Sequence, residues 1–205
     1  MFALVESGSI TQMPKGNKGI QIGDIKYPAA IYTLWNEAER NAIGIYTIEI
    51  DETNRKDEEW YTNTNITYAF GSGKVTGTYG TATAKAIADS TYTSQDKTDG
   101  LIPSDKDVGD LKTEGLKTIK KRMLDEECAS ILAPSDWRVV KEQETGDNMN
   151  SGWKTWRGNV RTKCNSMQTQ IDNAANVDAL AALFVYTEQE DGSVTRPLGE
   201  FPVKE

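Results

Sequence analysis

The stretch LAPSDWRVVKEQETG, residues 132–146, carries the helix stop and start signals that decide the C-terminal fold. Pro134 lacks an N–H and disfavours helical geometry in the residue before it, so it predicts that a helix ends nearby. Ser135 or Asp136 can accept a hydrogen bond from the free backbone N–H groups of a following helix. Gly146 can adopt the left-handed conformation that ends such a helix. The stretch therefore predicts a helix–corner–helix joint, with Trp137 near the corner.

Apolar residues recur at helical spacing on both sides of this joint. Before it, DVGDLKTEGLKTIKKRMLDEECASIL forms one stripe, made by Val108, Leu111, Gly115, Ile119, Met123 and Leu124. After it, SGWKTWRGNVRTKCNSMQTQID forms a second stripe, made by Trp153, Trp156, Val160, Cys164, Met167 and Ile171. Such stripes are typical of helices packed along a seam. We predict an antiparallel helical hairpin with Trp137, Trp153 and Trp156 in the core of its joint, and with Arg157, Arg161 and Lys163 in solvent. The alternative for Trp137 is a functional role on the surface.

The N-terminal half shows the periods of strands instead. Its β-prone runs are FALV and SITQM around residues 6–8, IYTIEID, and WYTNTNITYAF and KVTGTYGTATA around residues 71–73. A short helix, WNEAERNAIG, precedes IYTIEID and ends at Gly44. Runs of this kind around Gly-containing turns predict two β-hairpins.

These patterns predict an α+β fold in four parts. Residues 1–87 are predicted to form a β-rich domain that binds a partner, and residues 108–186 a helical hairpin domain. Residues 88–107 are rich in Ser, Thr, Asp and Gly, which predicts a linker, although a surface loop within one domain is the alternative. Residues 187–205 contain Asp191-Gly192 between β-prone runs, and predict a short hairpin or an extended tail.

The hairpin of residues 60–83 consists mostly of Thr, Asn, Gly and Tyr, so it offers little aliphatic surface of its own. An isolated two-stranded ribbon is marginally stable in water. Its aromatic residues are of the kind enriched at protein interfaces: Tyr61, Tyr68, Phe70 and Tyr79. We predict that another chain orders this ribbon. The alternative is that the ribbon folds back on its own N-terminal strands.

Composition excludes several classes of function. The net charge of −8 argues against a protein that binds nucleic acid. No apolar run approaches the roughly 20 residues of a membrane span, and the start MFALVESGS lacks the basic region of a signal peptide. The chain has no histidine, which removes the commonest general base and most transition-metal sites. We predict that the protein is not an enzyme and has no cofactor, no metal ion and no membrane partner.

Three weaker readings concern acidic and thiol groups. The carboxylates of IEIDETNRKDEEW could serve in catalysis, but they are ordinary at a strand end and in a loop. Asp105, Asp107 and Asp110 could bind calcium, but their spacing departs from that of the known twelve-residue loop. Cys128 and Cys164 lie within helical patterns, so we predict reduced core residues, with a disulfide as the alternative.

Residues 111–183 resemble the helical domain of unknown function found in phage tail-fibre assembly and tail-associated proteins. Those sequences run Leu-x-Pro-Thr/Ser-Asp-Trp, then a basic residue and Glu-x-Gly, and then an Arg-containing helix. The matching residues here are Pro134, Ser135, Asp136, Trp137, Lys141, Glu144, Gly146, Arg157 and Arg161. The opening FALVESGSI is similar to the start of many such proteins.

The resemblance implies a phage tail context rather than a reaction. The expected function is a structural component of the virion tail, an adaptor or fibre-associated protein at the baseplate or fibre root, present in several copies and bound to other tail or fibre proteins. The alternative is a tail-fibre assembly chaperone that acts in the host cytoplasm and is absent from the mature virion.

Overall fold

The computed structural model describes residues 1–204 and divides the chain into two compact units, with the boundary after Thr83. The first unit is rich in strands, and the second is built mainly from helices. The predicted α+β fold is confirmed, including the helical hairpin and the short final β-hairpin.

The first unit contains most of the strands. Its elements are β1 Phe2–Glu6, β2 Ser9–Gln12, β3 Ile20–Ile22, β4 Ile25–Tyr27, α1 Ile31–Leu34, α2 Glu37–Ala42, β5 Ile45–Asp51, β6 Tyr61–Thr62, β7 Ile66–Gly71 and β8 Lys74–Tyr79. A further short strand, β9 Thr83–Ala84, spans the boundary.

A five-stranded sheet in the order β2-β1-β5-β8-β7 forms the frame of the first unit. Neighbouring strands are antiparallel, except that β5 and β8 run parallel. The two outer strands, β2 and β7, contact each other, so the sheet is nearly closed. The turns at Ser7-Gly8 and Ser72-Gly73 have positive φ at both residues, as two-residue hairpin turns require. Both predicted hairpins are therefore present.

The ribbon of residues 60–83 belongs to this sheet. Strand β8 pairs with β5 from Ile48↔Val75 to Asp51↔Thr78, and Val75 is fully buried. Val75 forms an apolar cluster with Ala3 and Ile48. The prediction that another chain orders the ribbon is therefore wrong, and the alternative holds. The ribbon is polar overall, but one fully buried valine, with aromatic residues beside it, is enough to hold it on the sheet.

The second unit contains the long helices. Its elements are β10 Ser90–Thr91, α3 Ser94–Thr98, β11 Leu111–Thr113, α4 Leu116–Leu132, a 3-10 turn Ala133–Ser135, α5 Asp136–Thr145, α6 Ser151–Asn173, α7 Val177–Ala182, β12 Thr187–Glu188 and β13 Val194–Thr195. Strands β12 and β13 form the predicted hairpin around Asp191-Gly192.

Helices α4 and α6 pack along the predicted seam. Helix α6 buries Val160, Cys164, Met167 and Ile171, and helix α4 buries Leu116, Leu124, Cys128 and Leu132. Leu180 of α7 and Leu198 of the C-terminal tail are fully buried as well. Helix α4 begins at Leu116 rather than near residue 108, because Gly115 is extended and Leu111–Thr113 pairs with β10.

Residues 88–107, where we predicted a linker, contain β10 and α3 and make specific contacts. The Asp89 carboxylate accepts hydrogen bonds from Gly115 N–H and the Thr118 hydroxyl at the start of α4, and these lower its pKa. Asp96 is buried, and its hydrogen bond from Lys112 is the main reason that its pKa is lowered to about 2. The segment is thus tied to strand β11 and helix α4 by side-chain hydrogen bonds.

The two cysteines are free and buried, and their thiols meet across the seam. Burial raises the pKa of the Cys164 thiol to about 12, and the neighbouring Cys128 adds to the effect. An unfolded chain ionises this thiol near its ordinary pKa, whereas the folded chain keeps it neutral. Stability from this site is thus fully present below the unfolded pKa and is lost as pH rises towards the folded pKa.

We therefore expect the free energy of unfolding to fall above about pH 9, with a slope from this thiol of at most about 1.4 kcal/mol per pH unit. Urea unfolding between pH 8 and pH 10.5 measures this slope. The Cys164→Ala variant provides the control, since it retains every lysine and tyrosine that titrates in the same range. Equal slopes for the two proteins would contradict the expectation.

Candidate functional site

The joint between α4 and α5 is held by a buried arginine. Arg157 of α6 is only 5% exposed, and its guanidinium donates to Leu132 O (2.9 Å), to the Ser135 hydroxyl and to Asp136 Oδ1 (2.6 Å). Ser135 donates to Leu132 O and does not cap α5. The prediction that Arg157 is solvated is wrong, because the carbonyl at the end of α4 and the corner hydroxyl need a buried donor. Gly146 ends α5 in the left-handed conformation, as predicted.

Trp137 lies outside the core. It is 56% exposed, and no residue of α5 is buried. Trp153 and Trp156 are partly buried. The prediction that Trp137 fills the core of the joint is therefore wrong. The buried position at the corner is taken by Arg157, whose guanidinium bonds the polar groups there.

Trp137 instead takes part in a stack on the surface of the second unit. The Arg138 guanidinium carbon lies 4.5 Å from the centre of the Trp137 ring and 4.4 Å from the centre of the Trp153 ring. Cation–π attraction of this kind is worth about 0.5–1 kcal/mol per pair at exposed sites. These contacts bring two tryptophans and one arginine together on this surface.

The C-terminal tail extends this surface. Trp156 packs edge-on against Trp153, at 5.5 Å between ring centres, and its indole N–H donates to Pro202 O at 2.9 Å. The Lys204 ammonium lies 5.3 Å from the Trp153 ring centre. A shallow groove of about 340 Å³ runs between the start of α6 and the tail. We call this surface the tryptophan face; it consists of Trp137, Arg138, Val140, Trp153, Trp156, Pro202, Val203 and Lys204.

The basic residues around the tryptophan face differ in their partners. Lys141 pairs with Asp147 at 3.3 Å, and Lys154 pairs with Glu142 at 2.5 Å. Arg138, in contrast, has no carboxylate partner among residues 1–204, and its buried Nε atom has no hydrogen-bond partner there. The face therefore presents one guanidinium whose charge is balanced only by aromatic rings.

The four aromatic residues predicted to form an interface serve the first unit instead. Tyr61 is buried, with the Lys56 ammonium 4.2 Å from its ring centre. Tyr68 and Phe70 pack against the cluster around Val75. Tyr79 is partly buried, and the Arg55 guanidinium lies 6.0 Å from its ring centre. These residues contribute to the sheet and do not form a free aromatic surface.

The acidic candidates are engaged locally. Arg55 bridges Glu52 and Glu58 at 3.1 and 3.2 Å, and Asp51 accepts hydrogen bonds from Thr53 that lower its pKa. The Asp110 carboxylate accepts a hydrogen bond from Asp107 N–H within one turn. In residues 1–204 no three His, Cys, Asp or Glu side chains are grouped as a metal site would need. Nor does that part of the chain contain a helix long and apolar enough to cross a bilayer.

The positions of two residues at this site, Arg157 and Arg138, were not predicted from the sequence. Arg157 lies three residues before Val160 and seven before Cys164, a spacing that places it on the buried stripe of α6. That spacing indicates a buried position, whereas the charge of arginine indicates exposure to solvent. Arg138 follows Trp137 directly, and nothing in the sequence indicates that Trp153 packs on its other side.

Replacing Trp137 with alanine is expected to change the free energy of unfolding by less than about 1 kcal/mol, because the side chain is more exposed than buried. Chemical denaturation of the two proteins measures the difference. A loss of about 3–5 kcal/mol, typical of a buried aromatic residue, would contradict the exposed position.

The tryptophan face combines exposed aromatic surface, an arginine held in place and an adjoining groove. Tryptophan and arginine are the residues that most often dominate binding energy at protein interfaces. All of these residues belong to the second unit. Comparisons of the chain with family models, with curated proteins and with solved structures find no significant match.

Proposed function

We propose that the protein is a non-enzymatic structural component of a bacteriophage tail, an adaptor or fibre-associated protein at the baseplate or fibre root. In this proposal it binds another tail or fibre protein through the tryptophan face and is present in several copies per virion. The observation that carries the proposal is the exposed Trp137 stacked on Arg138, an arrangement that the packing of the second unit does not require.

The resemblance of residues 111–183 to tail-associated proteins supplies the phage context. Ser135, Asp136 and Arg157, three of the residues that carry the resemblance, meet in one hydrogen-bonded joint. Trp137, which follows Asp136 in the resembling motif, lies next to that joint and is exposed to solvent. A motif that builds a rigid corner and displays a tryptophan on it suits a protein whose task is to hold another protein.

Quantitative mass spectrometry of purified particles tests the proposal. We expect the chain at a fixed multiple of the copy number of a known tail protein. A chain that is made in infected cells but absent from purified particles would favour the assembly chaperone and contradict the structural role.

A phage that encodes Trp137→Ala tests the binding face. We expect the variant to fold normally and yet to be depleted from the particles. The matched control is Trp35→Ala in the first unit, which removes a partly buried tryptophan without touching the tryptophan face. Wild-type incorporation of Trp137→Ala would exclude this face as the attachment site.

A further inference from the structure

Arg138 on the tryptophan face is held in place yet lacks an anion. Its guanidinium carbon lies over both the Trp137 ring and the Trp153 ring, and its buried Nε has no hydrogen-bond partner in the described part of the chain. An arginine has five N–H donors in one plane, and a ring that packs over a face of that plane leaves its edges to donate. The buried Nε is out of reach of an outside acceptor, whereas the two terminal amino groups of Arg138 are not among the buried unpartnered atoms and are the donors that an acceptor can meet.

Three acids in this region already have cations. Asp147 pairs with Lys141, Glu142 pairs with Lys154, and Asp136 pairs with Arg157. Arg138 is thus a positive charge without an acidic partner among residues 1–204, on a chain whose net charge is −8.

From this charge pattern we propose that the partner docks an acidic protein segment on the tryptophan face, with an aspartate or glutamate carboxylate bonded to Arg138. A carboxylate matches the paired donors of a guanidinium and forms the stronger, charge-assisted type of hydrogen bond. The exposed apolar groups around it, Trp137, Val140 and Val203, fit apolar side chains next to that carboxylate. The inference rests on the proposed role of this face in binding protein.

A nucleic acid fits the same surface less well. A phosphate backbone is bound by many unpaired basic groups, whereas Lys141 and Lys154 beside the face are neutralised by acids. The net charge of −8 also repels a polyanion. A segment with a single carboxylate flanked by apolar residues needs only one unpaired basic group, and it is not a polyanion that the net charge would repel.

Random dodecapeptides displayed on a carrier and selected against the full chain provide an unbiased probe. We expect the recovered peptides to be enriched in Asp or Glu next to apolar residues. Arg138→Gln should lose this enrichment, Arg138→Lys should recover part of it, and Arg161→Gln, the same change at an exposed arginine of α6, should leave it intact. Thermal unfolding of each variant checks that the second unit remains folded.

The best recovered peptide is then synthesised with its acids and with the matching amides. Loss of the carboxylate is expected to weaken binding about 10- to 100-fold for the wild type and hardly at all for Arg138→Gln. The proposal is overturned if no peptide is recovered, if acids are not enriched, or if both proteins select the same peptides. Binding of a 20-nucleotide single strand that depends on Arg138 would overturn it in favour of a nucleic acid. The peptide selection is carried out on the isolated chain, so its result does not depend on the tail role. Absence of the chain from virions would overturn the tail role and leave the peptide-binding proposal standing.

Discussion

The Arg157→Ala variant is expected to lose about 2–4 kcal/mol of unfolding free energy, the largest effect of any single substitution considered for the second unit. Alanine removes the two hydrogen bonds from the buried guanidinium to the Leu132 carbonyl and the Ser135 hydroxyl, which then keep only the bond between themselves, and it leaves a cavity where the guanidinium was. Asp136 contributes less to this loss, because its side chain is 59% exposed and water replaces the arginine there. Urea unfolding followed by helical circular dichroism measures the change.

Two further variants sharpen this test. Arg157→Lys keeps the charge, but an ammonium on an unbranched stem cannot reach three acceptors in the geometry of the guanidinium, so we expect most of the loss to remain. Arg161→Ala removes an exposed arginine one turn further along α6 and is expected to change stability by no more than about 0.5 kcal/mol. Equal stabilities for Arg157→Ala and Arg161→Ala would show that the buried hydrogen bonds do not hold the joint.

Deleting residues 62–81 and joining the ends with a short Gly-Ser loop is expected to unfold the first unit. The deletion removes β7 and β8, and with them the fully buried Val75 and the parallel neighbour of β5. Three strands with one side of their core missing cannot bury enough apolar surface to offset the entropy of ordering. Hydrogen exchange of the deletion variant, measured on the whole chain, should show that β1 and β5 have lost the protection they have in the wild type.

The hydrogen-exchange measurement also provides an internal reference in the second unit. Amides of α4 and α6 should stay protected, because the apolar core of those helices lies within the second unit. An insertion of two residues between Ser72 and Gly73 serves as the matched control. A Cβ built on Gly73 meets nothing within 4 Å, so this turn has room for the insertion. Persistent protection of β1 and β5 after the deletion would mean that the ribbon is dispensable for the sheet.

Local signals in the sequence predicted most elements correctly. The Ser-Gly turns, the alternation of β5 and the seam from Val160 to Ile171 are each determined by residues close together in the chain. The pairing of β5 with β8 could not be predicted in this way. Alternation tells which side chains share a face but not which distant strand lies alongside, and a parallel pair has no hairpin turn to reveal it.

The candidate site was harder to predict, because its chemistry reverses the usual rule for burial. A large aromatic residue next to a corner is normally core and an arginine is normally solvated, yet Arg157 is buried and Trp137 is exposed. The exchange follows from the carbonyl, hydroxyl and carboxylate groups at the corner, since an indole has a single N–H and cannot donate to all three. Only the three-dimensional path of the chain shows that these polar groups meet.

The position of β5 between the two hairpins also bears on how the chain folds during synthesis. The β1–β2 and β7–β8 hairpins join residues close in sequence, so each can form within microseconds once it has left the ribosome. β5 is the strand that pairs with both, through β1 on one side and β8 on the other. The sheet therefore cannot be completed until Tyr79 has emerged, and until then the side of β1 that carries Ala3 and Val5 lacks its cover from Val75. Because both hairpins form before β5 joins them, substitutions at the tip of either hairpin should mainly slow folding.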